Sequence, residues 1–143
     1  MQVSIRLYED KDHDAVVELW NEVFPDDPPW NAPAGMIRRK KQVNDDLFWV
    51  AEAGGRVVGT ILAGFDGIRG WIYHLGVQSS MRRYGIASQL MLTAERRLEG
   101  LGCVKINLQI RIDNTAVKAF YEKLGYSVEH RIQMGKPIGQ YRR

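Results

Sequence analysis

The 143-residue chain has a single cysteine, Cys103, so it forms no internal disulfide and no multi-cysteine zinc site, which points to a reducing, cytoplasmic setting. It has no long apolar run: the stretch 57–65 is broken by glycine and falls well short of the roughly 18 residues a membrane span needs, so no membrane is implied. Met1-Gln2-Val3-Ser4-Ile5-Arg6 lacks the basic-then-apolar pattern of a secretory signal. Neither a Walker A motif nor a GxGxxG fingerprint occurs, which removes the main support for nucleoside triphosphate or dinucleotide chemistry. His13, His74 and His130 show no metal-ligand spacing, and no metal is implied. Nor does one sign of charge dominate: 20 basic against 17 acidic residues give +3. The run Arg38-Arg39-Lys40-Lys41 lacks the interleaved aromatics of a nucleic-acid interface and reads as a solvated helix face, so no nucleic acid is expected as partner.

With 45% hydrophobic and 26% charged residues, the composition is that of one globular domain spanning residues 1–143. Val3, Ile5 and Leu7 alternate as in a half-buried strand, and Asp10 or Asp12 then caps a helix running to about Val23. Four of the five prolines fall within residues 24–33, a stiff loop. A short helix over 34–43 precedes a strand over 47–53. Gly54-Gly55 turns the chain back into a partner over 56–65, and 71–77 forms a central strand. A helix over 85–98, a strand over 105–110, a helix over 115–123 and a final strand or pair from Tyr126 complete the order. Strands and helices in this sequence predict an α/β (α+β) domain, a mixed sheet with helices on its faces.

The most informative segment is the polar connection between the strand ending at Val77 and the next helix. A helix N-terminus presents backbone N–H groups without internal partners and the positive end of the dipole. Gly85 and Ala87 leave room for a pyrophosphate to approach, and Arg82 and Arg83 add positive charge. A glycine that merely starts a helix explains Gly85 alone equally well.

Arg82-x-x-Gly85-x-Ala87, following Leu75-Gly76-Val77, resembles the acyl-CoA pyrophosphate motif of the GNAT superfamily of N-acetyltransferases. The block from Asn114 to Tyr126, with Asn114, Phe120, Tyr121, Leu124 and Gly125, is similar to that superfamily's C-terminal motif. Trp30-Asn31, 47–52 and 64–70 are similar to its small bacterial YpeA-type branch, which in turn resembles ribosomal-protein N-terminal acetyltransferases. The resemblance implies a mixed, mostly antiparallel sheet of six to seven strands, about four flanking helices and a splayed fourth and fifth strand pair.

It also implies acetyl-CoA as co-substrate, transfer of the acetyl group to a primary amine by direct attack in a ternary complex, and a set of roles. Leu75, Gly76 and Val77 would hold the pantetheine arm, with a bulge or close approach at Gly76 and the Val77 N–H as oxyanion donor. Arg82, Arg83, Tyr84, Gly85, Ile86, Ala87 and Ser88 would hold the pyrophosphate, with Asn114 and Tyr121 also at the cofactor. Asn114 equally suits a helix cap. Tyr121 would be the general acid that protonates the CoA thiolate.

Some family members carry a base glutamate on the fourth strand, but Trp71 stands at that position, leaving His74 as a minority candidate for the base. Asp26, Asp27 and Trp30, on the proline-rich loop, would attract and cover a cationic amine, although acidic residues solvating that loop are an equally good account. The acceptor is a protein N-terminus or a small cationic amine. A non-catalytic acyl-CoA-binding or partner-binding module on the same fold is the alternative. Exposed sheet edges often pair between subunits in this family, which makes a homodimer one admissible assembly.

Overall fold

A computed structural model describes residues 2–143. Contacts divide the chain into two compact units, Met1–Leu108 and Gln109–Arg143. In the first, β1 (Val3–Leu7), β2 (Phe48–Ala53), β3 (Arg56–Phe65), β4 (Gly70–Val77) and β5 (Ile106–Asn107) form a sheet in chain order. Every pairing is antiparallel except β4 with β5, which is parallel. The helices are α1 (His13–Val23), α2 (Pro33–Val43) and α3 (Ile86–Gly100), with α4 (Thr115–Lys123) in the second unit.

The two faces of the sheet are told apart by what lies on them. Val16, Leu19 and Trp20 of α1 and Ile37 of α2 pack with Phe48, Val50 and Leu62 in one buried cluster. A Cβ on Gly59 would meet Leu90 and Ile86 of α3, so the opposite face belongs to that helix. Alternation along β3 then turns Thr60 back toward α1. Burying these apolar side chains at about 1.5–3 kcal/mol each is the main force that holds the helices against the sheet.

Three expectations need correction. Asp12 does not cap α1 through its side chain. It accepts from the Glu9 N–H and takes a bidentate contact from Arg6 at 2.8 and 2.9 Å, tying the 3-10 turn before α1 to the edge of the sheet. Arg6, first by its hydrogen bonds, holds the Asp12 carboxyl below the usual carboxylate range.

The sheet has five strands among the described residues, not six to seven. β5 keeps only two residues of the expected 105–110, and no strand forms from Tyr126 onward. Val128, Ile132 and Met134 are all exposed there, the last two by 92% and 89%. Gly135, Pro137 and Gly139 then interrupt the pattern, and a proline has no N–H to give to a ladder. The Arg38–Lys41 run is not simply a solvated face either: Arg39 donates to the Trp30 carbonyl, Lys40 binds Asp45, and Lys41 pairs with Asp10. No described helix is long and apolar enough to cross a membrane.

Candidate active site

β4 departs from a regular strand in its middle. Thr60 pairs with Gly76 and Leu62 with Tyr73, so Ile61 faces two residues, His74 and Leu75, and β4 has one residue extra. His74 has φ +46°, in the left-handed region where histidine is uncommon. The bulge is therefore at His74-Leu75, not at Gly76. Gly76 answers a different need: a Cβ there would lie 3.1 Å from the Phe24 ring and 3.3 Å from Val23 Cγ1.

The extra residue re-aims a side chain. Tyr73 lies opposite Leu62, on the α1 face, so alternation would send His74 to the α3 face. Instead the His74 ring lies 4.9 Å from the Trp20 ring and 4.4 Å from the Phe24 ring, both on the α1 side. Its Nε2 is 2.8 Å from Asp27 Oδ2, on the loop after α1. The His74 side chain is 9% exposed and the Asp27 side chain 22%. Burial pushes the imidazole pKa below its ordinary value, and the Asp27 charge and hydrogen bond oppose that shift. The outcome is a mostly buried, neutral imidazole at pH 7, with one nitrogen committed to a carboxylate.

The other edge of β4 is paired over a short length only. β4 pairs with β5 only at Gly70 and Trp71, although β4 runs on to Val77. The Gln78 N–H donates to the Val58 carbonyl at 2.8 Å. Antiparallel hydrogen-bonding alternates, so the Val77 N–H is turned away from β3, toward the side that β5 has left.

Beyond β4 the chain makes a 3-10 turn at Ser79–Met81, whose Ser79 N–H is held by Glu22 at 3.1 Å. Arg83 and Gly85 then take positive φ, +72° and +75°. Gly85 is the N-cap of α3 and its carbonyl accepts from the Gln89 N–H, so the N–H groups of Ile86, Ala87 and Ser88 precede the first α-helical bond. Arg82, Arg83 and Tyr84 are exposed around this turn. Fixed N–H dipoles, a helix N-terminus and two nearby arginines are the parts from which an anion cradle can be built.

The Acetyltransferase (GNAT) family model matches residues 13–126. The chain belongs to the GNAT acetyltransferase family. This acetyltransferase is 43% identical over 136 residues to an acetyltransferase of Pectobacterium atrosepticum, covering 95% of this chain and 96% of that one. It is 45% identical over 127 residues to an acetyltransferase of Sodalis glossinidius, covering 89% of each. Solved structures share its fold. An aminoglycoside N-acetyltransferase, AAC(6')-Iy, in complex with CoA has a TM-score of 0.77 at 19% identity, covering 95% of both chains. Ard1 from Thermoplasma volcanium has a TM-score of 0.77 at 23% identity, covering 90% of this chain and 85% of that one.

In the second unit of the acetyltransferase, Asn114 is the N-cap of α4, its Oδ1 accepting from the Val117 N–H at 3.3 Å. Tyr121 is buried on that helix between Phe120 and Tyr126, with ring centroids 5.1 and 5.8 Å away. Burial pushes its phenol up to about 12. On the loop of the first unit, Asp26 is exposed, and the backbone of Trp30 is bound by Arg39. Asp27 is already engaged by His74.

Three residues at the site went unseen in the sequence: Trp20, Phe24 and Thr60. Trp20 fitted the apolar stripe of α1, Phe24 opened the proline-rich loop, and a threonine in a strand is ordinary. The faint signal was Thr60 as the lone hydroxyl within the apolar run of β3.

Proposed function

We propose that this acetyltransferase moves the acetyl group of acetyl-CoA to a primary amine by direct attack in a ternary complex, with His74 as general base and Asp27 as its positioning partner. The observation that supports this most is the His74–Asp27 pair, formed across 47 residues at 2.8 Å beside the unpaired edge of β4. The anion cradle at Arg82–Ser88 suits the pyrophosphate, and the open side of β4 at Leu75–Val77 suits an extended pantetheine arm. There the Val77 N–H would stabilise the oxyanion.

In this reading His74 takes the proton from the acceptor's ammonium, directly or through water, and Asp27 stabilises the resulting imidazolium. An α-amine with pKa near 8 needs far less help than a lysine near 10.4, whose neutral fraction at pH 7 is on the order of 10⁻³ to 10⁻⁴. The base is weakly basic, so it suits the former better. Tyr121 gives its proton to the departing thiolate, an assignment supported by the C-terminal motif. At about 12 against a thiol near 8.5, that transfer is uphill by about 5 kcal/mol unless cofactor binding tunes it. Asp26 and Trp30 are the loop residues that would meet the acceptor in this reading, while Asp27 holds His74.

The test is acetyl-CoA-dependent thiol release against peptides of varied N-terminal residue, polyamines and aminoglycosides, with a no-acceptor control. Release with peptides or with small amines names the acceptor class. Acetyl-CoA binding, seen as a raised melting temperature, combined with silence across all acceptors would favour a non-catalytic acyl-CoA-binding module.

A further inference from the structure

A bulge frees a backbone carbonyl from its ladder, and in the interior such a carbonyl needs a new donor. Here the donor is a side chain. The Thr60 hydroxyl donates to the His74 carbonyl at 3.0 Å and accepts from the Trp20 indole Nε1–H at 2.8 Å. Thr60 is 0% exposed and Trp20 1%, so water does not replace either bond. The three groups form a chain across three elements: α1 through Trp20, β3 through Thr60, β4 through His74. The indole can only donate, which leaves the hydroxyl proton for the carbonyl and sets the sense of the chain.

We propose that Thr60 is a positioning residue whose hydroxyl, oriented by Trp20, pins the β4 bulge that turns the His74 ring onto the α1 face and into reach of Asp27. The functional consequence rests on His74 as the base; the clamp itself does not. Without the hydroxyl, the His74 carbonyl loses this bond in a buried place, and the left-handed conformation at φ +46° loses its compensation. A regular strand at this point would aim His74 at α3. The groups that meet the ring are Asp27 from the loop, Trp20 from α1 and Phe24 at the C-cap of α1. Asp27 is the titratable one among them.

The experiment is an NMR titration of the His74 imidazole in the full chain without ligand, assigned by loss of its signal in His74→Gln. In Thr60→Val, nearly isosteric but without the hydroxyl, the ring loosens into solvent and its midpoint rises toward the ordinary histidine value by about half a pH unit or more. Thr60→Ser keeps the hydroxyl and stays within about 0.2 unit of the parent. A folded Thr60→Val with an unmoved midpoint, or a Thr60→Ser that shifts as far, overturns the proposal. If Thr60→Val does not fold, Trp20→Phe removes the orienting N–H. A smaller rise is expected there, and none overturns the clamp. A midpoint that moves in Thr60→Val while His74→Gln turns over normally would keep the clamp and sink the base.

Discussion

His74 Nε2 and Asp27 Oδ2 lie 2.8 Å apart although 47 residues separate them, and neither would reach the other from regular secondary structure. Asp27 is placed by the turn after α1, where its N–H meets the Phe24 carbonyl. His74 is placed by the bulge in β4. Burial keeps this imidazole neutral to below the ordinary histidine range, while the Asp27 carboxylate opposes that shift.

In the proposed mechanism His74 works only when neutral, so activity should fall as pH drops through its folded pKa, which lies below the ordinary 6.5. His74→Gln should lower kcat/KM by about 10²-fold or more and abolish that acid limb. Asp27→Asn removes the group that opposes the shift, so the limb should move further toward acid. An unchanged pH–rate profile in both variants would remove the pair from the chemistry.

The same direction sets a stability effect. The unfolded chain protonates His74 near 6.5 while the folded chain resists, so stability conferred at neutral pH is lost as pH falls from about 6.5 through the folded pKa. Urea titrations at stepwise lower pH should show a shallower loss for His74→Gln than for the parent.

Tyr121→Phe keeps the packing against Phe120 and Tyr126 and removes the acidic proton. It should lower turnover by about 10-fold or more while acetyl-CoA affinity changes little. The folded phenol titrates at about 12 and the unfolded one near 10, so the parent loses up to about 3 kcal/mol as pH rises across that window. Tyr121→Phe should lack this alkaline loss, which denaturant melts between pH 9 and 12 would detect.

Gly76→Ala places a Cβ 3.1 Å from the Phe24 ring, which must shift and disturb its contact with His74. A loss of about 1–3 kcal/mol is expected by chemical denaturation, with partial recovery when Phe24→Leu is added. No recovery would mean that the strain lies in the backbone instead.

Arg82→Ala and Arg83→Ala should each weaken acetyl-CoA binding by about 5- to 10-fold, the effect shrinking at high salt. Calorimetry at two ionic strengths checks this. Gly85→Val should add a comparable loss, because valine resists φ +75°.

The element order, the turn into α3 with Gly85 at its N-cap and the helix cap at Asn114 were legible in the sequence, because periodicity, glycine and capping preferences are local. The strand count was not: residues 126–134 alternate as a strand should, yet a strand exists only when a partner edge accepts its hydrogen bonds. The bulge in β4 was expected at Gly76, and its actual place was hidden. Nothing in Tyr73-His74-Leu75-Gly76 requires an extra residue opposite Ile61; that register follows from how β3, Trp20 and Phe24 pack together. Local chemistry wrote the glycine turn before α3 into the sequence, whereas Asp27, Thr60 and His74 came together only when burial in one core brought α1 and its following loop, β3 and β4 within hydrogen-bonding distance.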